Sequence, residues 1–172
     1  MSTRSIRGFT LIEMVIVVAI VALLAGILVP IAFNQVDDAE RARATADVRQ
    51  ISSALMLFRS DCGEWPSATK KMLFSDGDAA TAEDTNFEAV ADGEHLQNPL
   101  RDNTDTVTGW EGPYMSMFNA DPWNNRYIVE VDGFSAAGSP YAWVISAGTD
   151  GTFQTDKTDT SIQGDDIGII MQ

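Results

Sequence analysis

The sequence predicts an α+β protein, with a long N-terminal helix that is membrane-spanning in its first half and amphipathic in its second, packed on a small antiparallel β-sheet. Three observations carry this expectation. Met14 to Phe33 form an uninterrupted run of 20 residues without a charge. Val48, Ile51, Leu55 and Phe58 then recur at spacings of 3, 4 and 3, one stripe of a continuing helix. Near the C-terminus, Tyr127–Val131, Tyr141–Ile145 and Ile167–Met171 are short, β-branched and aromatic, as strands are.

The uncharged run comes first. As a helix rising 1.5 Å per residue it spans about 30 Å, the hydrocarbon thickness of a bilayer. A cleaved secretory signal carries an apolar core of about 7 to 15 residues followed by a small-x-small cleavage site. This run is longer, has Pro30 near its end and lacks that site. A core helix of a soluble domain is seldom apolar on every side. A permanent anchor therefore fits best. Arg4 and Arg7 precede it and Asp37, Asp38 and Glu40 follow, so the positive-inside bias sets the N-terminus in the cytoplasm and the rest outside. Gly26 and Pro30 fall within the helix, and Pro30 predicts a kink there.

The helix continues to about Arg59, with Arg41, Arg43, Asp47, Arg49 and Arg59 mostly off the apolar stripe. Cys62-Gly63-Glu64-Trp65-Pro66 reads as its stop. From Ser60 to Glu111 the chain is rich in Asp, Gly, Thr and Asn and shows little periodicity, so irregular structure is expected, with His95 a solvated loop residue and Cys62 an inert or partly buried thiol rather than a nucleophile. Asp132-Gly133 and Gly138-Ser139-Pro140 mark turns between the three strands. A sheet of three strands is marginal alone, and the stripe of the helix is its natural cover.

Composition narrows the chemistry. The 172 residues hold 25 acidic and 11 basic side chains, a net charge of -14, and one Cys and one His. That excludes zinc, haem and iron–sulfur clusters held by Cys or His sets, an intramolecular disulfide, and nucleic-acid binding by a broad basic surface. No nucleophile and base stand at a recognisable spacing, so the chain reads as a non-enzyme. The acidity is confined: residues 1–60 hold six basic and five acidic side chains, residues 61–172 five and twenty. Asp150, Asp156, Asp159, Asp165 and Asp166 share a loop with a single Lys157, a place where a hard cation with oxygen ligands would relieve repulsion. It lacks the EF-hand pattern.

Glu13 at the edge of the apolar run needs compensation, because a carboxylate near the membrane interior costs on the order of 2.5 to 3.5 kcal/mol. Arg7-Gly8-Phe9-Thr10-Leu11-Ile12-Glu13, placed before this run, resembles the N-terminal signature of type IV pilins and of the pseudopilins of type II secretion systems. The resemblance implies that a membrane prepilin peptidase cuts after Gly8 on the cytoplasmic side and methylates the amine of Phe9, so that residues 1–8 are a leader. It implies an assembly role for Glu13, paired with the terminal amine of a neighbouring subunit, which would compensate the carboxylate and set filament register. It also implies that assembly can melt the helix near Pro30.

Gly112-Pro113-Tyr114, Asp121-Pro122-Trp123-Asn124-Asn125-Arg126-Tyr127 and Ser146-Ala147-Gly148-Thr149-Asp150-Gly151 followed by Asp165-Asp166-Ile167-Gly168 resemble the globular domain of the major pseudopilins of type II secretion, leaving the middle of the chain unmatched. In that subfamily the last loop binds calcium. The resemblance implies Ca2+ held by the carboxylates of Asp150, Asp165 and Asp166 and the backbone carbonyls of Ala147 and Thr152. The spacing from Asp150 to Asp165 is longer than usual for the subfamily, which leaves Asp156, Asp159 and Ser161 as alternative ligands. The expected organisation is a leader at 1–8, a membrane or filament-core helix at 9–33, an amphipathic helix at 34–60, a variable region at 61–111 and a sheet with a calcium loop at 112–172. The resemblance implies a structural subunit of a secretion pseudopilus or, alternatively, of a type IV pilus used for adhesion, motility or DNA uptake. Its partners would be copies of itself, the prepilin peptidase, minor pseudopilins and an inner-membrane assembly platform. It would sit in the inner membrane with its C-terminal domain in the periplasm, then in a periplasmic filament.

Overall fold

The computed structural model describes residues 8–66, 72–81, 86–87, 93–131 and 141–171. The chain divides into two units, Met1–Ala39 and Glu40–Gln172. Helix α1, Leu11–Cys62, is 52 residues long and contributes to both.

In the first unit the apolar run is helical, including Gly26 and the backbone of Pro30, and its large side chains from Phe9 to Phe33 are exposed. Among the described residues α1 is the one helix long and apolar enough to cross a membrane. Arg4 and Arg7 lie outside the described residues.

In the second unit α1 buries one face. Ala44, Val48, Ile51, Ala54, Leu55 and Phe58 are each at most 3% exposed, while Arg49, Ser53, Met56 and Leu57 face outward. Gly63 ends the helix: its φ of +76°, open to glycine at little cost, lets its N–H reach the Arg59 carbonyl at 2.9 Å.

The helix covers a five-stranded sheet in the order β2-β1-β3-β4-β5. The strands are β1 (Met72–Phe74), β2 (Gly93–His95), β3 (Ile128–Glu130), β4 (Ala142–Ser146) and β5 (Ile167–Met171). Register decides which face each residue serves. Leu73, Val129, Val144 and Ile169 lie in one cross-strand row, and all four join the cluster formed with Val48, Ile51, Leu55 and Phe58 of α1. The neighbouring positions Met72, Ile128, Trp143 and Ile145 point to the opposite face, where Ala80, Phe87, Ala147 and Phe153 close a second cluster. Both faces of the sheet are therefore buried, and all five residues of β4 are inaccessible. That is why β4 reads as a continuous apolar run rather than an alternating one.

The sheet differs from the three antiparallel strands expected. Its last three strands do pair antiparallel, but β1 and β2 add to the β3 edge, with β1 antiparallel to β3 and parallel to β2. Both come from the stretch expected to be irregular. Strands of three residues, one of them Gly-Glu-His, carry too few side chains to display a period. His95 is likewise not a solvated loop residue. It lies in β2 with its side chain 26% exposed, Nε2 3.1 Å from Asp76 Oδ1, Nδ1 accepting the Gln97 N–H, and the Phe74 and Phe118 rings edge-on at 5.8 and 5.9 Å. The turns expected at Asp132-Gly133 and Gly138–Pro140 lie outside the described residues.

Candidate functional site

Two places carry chemistry, one in each unit. At the N-terminus, Gly8 and Phe9 precede α1 outside regular secondary structure and are exposed. Thr10 and Glu13 then cap the helix reciprocally: the Glu13 N–H donates to Thr10 Oγ at 3.3 Å, and the Thr10 N–H donates to Glu13 Oε2 at 3.4 Å. This is a capping box, and it satisfies two of the backbone donors that a helix start leaves open. Glu13 thus has an intrachain role that the family resemblance alone did not suggest, although the spacing Thr-x-x-Glu encodes it.

In the second unit a turn with a buried aspartate braces the entry to the acidic loop. Asp121 Oδ1 accepts the N–H groups of Trp123 and Asn125 at 3.0 and 2.8 Å, and its Oδ2 accepts the Ser146 hydroxyl at 2.6 Å. Ser146 Oγ in turn accepts the Gly148 N–H at 3.1 Å. Burial pushes the Asp121 carboxyl above its ordinary range, against the lowering effect of these donors. The hydrogen bonds fix the chain where β4 enters the loop. The Asp-Pro-Trp sequence signals such a turn, while the link to Ser146 leaves no sequence trace.

The loop is laced by its own carboxylates. Asp165 Oδ2 accepts the N–H groups of Thr149 (2.7 Å) and Asp150 (3.2 Å), and Arg41 of α1 stands 4.0 Å from it while donating to Thr149 Oγ at 3.0 Å. Asp150 has both oxygens engaged, Oδ1 by the Thr152 N–H and Oδ2 by the Gln154 side-chain amide, each at 2.8 Å. Asp166 Oδ2 accepts the N–H groups of Gln154 and Thr155 at 3.0 and 2.6 Å, whereas its Oδ1 is buried with no hydrogen-bond partner. Burial raises the Asp166 carboxyl above its ordinary range, and Asp165 adds to the rise. Ala147 is buried at the end of β4, and Thr152 bridges to Thr81. Asp156 and Asp159 close a separate turn, the Asp156 N–H donating to Asp159 Oδ2 at 2.8 Å, and Ser161 Oγ accepts the Gln163 amide.

The loop brings Asp150 and Asp165 together through backbone amides and joins Asp166 to the 154–155 segment. Among the described residues no three Asp, Glu, His or Cys side chains converge on one point. The donor set nevertheless fits a hard cation in kind. It offers oxygens, and one of them is a buried carboxylate oxygen that lacks a donor, a costly state unless a cation or water meets it. The fit in position is partial, because Asp150 is turned to protein donors. Sequence reasoning missed Arg41 and Gln154, whose contacts here arise from folding rather than from any motif.

Comparison with known proteins gives both regions a context. The family model "Prokaryotic N-terminal methylation motif" matches residues 3–29, and "Type II secretion system (T2SS), protein G" matches residues 84–165. The chain is thus similar to type II secretion protein G over just under half its length and carries the N-terminal motif besides. The second match reaches back to residue 84, into the stretch that motifs left unmatched. The chain is 27% identical over 160 residues to the Type II secretion system core protein G of Escherichia coli (strain K12), covering 93% of both chains. It is 25% identical over 168 residues to that of Aeromonas hydrophila, covering 98% of this chain and 94% of the other. With that of Pseudomonas aeruginosa it shares 28% identity over 127 residues, 74% and 75% of the two chains. No solved structure matches the chain.

Proposed function

We propose that this chain is the repeating structural subunit of a type II secretion pseudopilus, a filament that drives folded proteins across the outer membrane. The observation that carries the reading is the conjunction, in one chain, of the N-terminal methylation motif on an exposed apolar helix with the protein G domain. The protein G domain favours this function over that of a surface pilus. In this reading the chain rests in the inner membrane, N-terminus in the cytoplasm and domain in the periplasm, until the prepilin peptidase cuts after Gly8 and methylates Phe9. It then assembles with copies of itself and with minor pseudopilins on the inner-membrane platform, with Glu13 meeting the new amine of a neighbour. The part of the subunit is mechanical, and no residue is assigned a catalytic role.

The acidic loop belongs to the same proposal as a calcium site. Asp165 and Asp166 would hold the ion, with Asp150 after release from Gln154, together with the carbonyls of Ala147 and Thr152. The support is the unpartnered Oδ1 of Asp166 and the oxygen-only donor set. Calcium would supply the positive charge that offsets the carboxylates and ties the loop to β5.

Deletion of the chain in its native host tests the function. Type II-dependent export should stop and return with the wild-type chain, whereas Gly8→Val should leave an uncut precursor in the inner membrane. Glu13→Ala should be cut normally and yield few filaments. Loss of surface fibres with export intact would transfer the chain to the pilus class.

A further inference from the structure

We propose that this chain docks on a second copy of itself, α1 of one copy laying Met56 into a groove of the next and Arg49 against that groove's acidic rim. The inference rests on the filament reading and adds to it one contact between globular units.

The docking face is the outer side of α1 in the second unit. Met56 and Leu57 are 51% and 55% exposed there, although the opposite stripe of the same helix is buried. Arg49, seven residues before Met56 and so about two helical turns away, shares its face and is in no ion pair among the described residues. The groove lies beside the same helix. It holds about 60 Å³, twice the roughly 30 Å³ share of a water, which is room for the end of one unbranched side chain. Buried Ile51, Leu96, Phe118 and Tyr127 line it together with Met115 and with Met117, which is 63% exposed. Methionines on both sides suit such a contact, since an unbranched thioether adapts to irregular gaps. Asp47 also lines the groove. Met56 lies nine residues further on, about two and a half turns, so it points away from the side of α1 that carries Asp47 and cannot fill the groove of its own chain.

Charge selects the occupant. Residues 40–60 hold four basic and two acidic side chains, whereas residues 61–172 hold five and twenty. The outer face of α1 is therefore attracted to the rest of this domain on another copy. At the groove the attracting group is Asp76, whose side chain is 69% exposed and whose N–H donates to the Phe118 carbonyl at 2.8 Å, which sets it at the rim. Face and groove are unlike surfaces, so each docked copy leaves one of each free. The contact repeats head to tail instead of closing in a pair.

Bismaleimide cross-linking of the full chain in its native host reads this geometry, with Cys62→Ser as background and cysteines at two exposed positions, Ser53→Cys on the face and Asn119→Cys at the groove. The double-cysteine chain should give a ladder of dimers and higher multimers. Either cysteine alone should stay monomeric, and the two single variants produced together should stop at dimers. Met56→Asp or Arg49→Glu in the double-cysteine chain should remove the ladder while the globular Tm holds, because both side chains are exposed. Dimers from Ser53→Cys alone, cross-links only to a different protein, no ladder, or a ladder undiminished by either substitution overturns the inference. An absent ladder in a host where deletion of the chain still stops export removes this contact and leaves the filament reading. A ladder in a host whose export survives the deletion keeps the contact and removes the secretion role.

Discussion

The two halves of α1 have similar helix-forming backbones and opposite relations to their surroundings. From Met14 to Phe33 the large apolar side chains are exposed all round, whereas from Ala44 to Phe58 a single stripe is buried and the rest is polar or exposed. The first half therefore needs an apolar environment that its own chain does not provide, and almost any apolar residue serves there. The second half finds its environment in the sheet, so each stripe position has a shape to match.

Substitution sharpens that contrast. Phe58 is fully buried, with the Tyr114 ring edge-on at 5.7 Å, so Phe58→Ala should destabilise the globular unit by about 3 to 5 kcal/mol in thermal or denaturant melts of the full chain in detergent. Leu23→Ala should leave that transition in place, within about 0.5 kcal/mol, because Leu23 is exposed in the first unit. An equal loss from both would erase the distinction between the halves.

Calcium should come next in size. A hundredfold excess over Kd should stabilise the globular unit by about 2.7 kcal/mol, with magnesium a poor substitute and the response reduced in Asp150→Ala and Asp165→Ala. A Tm indifferent to calcium would remove the site. A response surviving both substitutions would move it toward Asp156 and Asp159. At the other end of the molecule, Thr10→Ala should loosen the first turn of α1 by about 1 kcal/mol, seen as roughly fivefold faster hydrogen exchange of its amides, with the globular Tm unchanged.

The smallest effect is in pH. Without calcium, the raised Asp166 carboxyl holds its proton more tightly in the folded chain than in the unfolded one. Its contribution to stability is full below the ordinary carboxylate value of 3.8 and is lost as pH rises through the higher folded value. Asp166→Asn should flatten this part of the pH–stability curve in chelator. In calcium the same substitution should abolish the ion's effect. An unchanged curve would mean that Asp166 is not the proton holder.

Legibility in the sequence followed the range of the interactions. The apolar run, the stripe from Val48 to Phe58 and the stop at Gly63 are local and periodic, and they were readable. So were β3, β4 and β5 to within a residue or two, because Ile128, Val129, Val144, Ile145 and Ile169 are β-branched and flanked by turn formers. β1 and β2 were not, since β1 becomes a strand on the edge of β3, whose paired residues lie 54 to 58 positions away, and β2 becomes one on the edge of β1, 21 positions away. At the acidic loop the aspartates were visible as a cluster. Which oxygen each one leaves free depends on amides from Thr149 to Thr155, and only the folded chain specifies that.

The way this loop is tied has a practical consequence. Thr155 and Asp166 form a neck, reinforced by the Gln163 N–H donating to Thr155 Oγ at 3.0 Å, while Thr160, Ser161 and Ile162 beyond it are exposed. Residues inserted between Thr160 and Ile162 would lengthen only the closed tip, at roughly 0.6 kcal/mol for each doubling of its length. An epitope or a dye-accepting peptide could be carried there while the ends of β4 and β5 stay where the neck holds them.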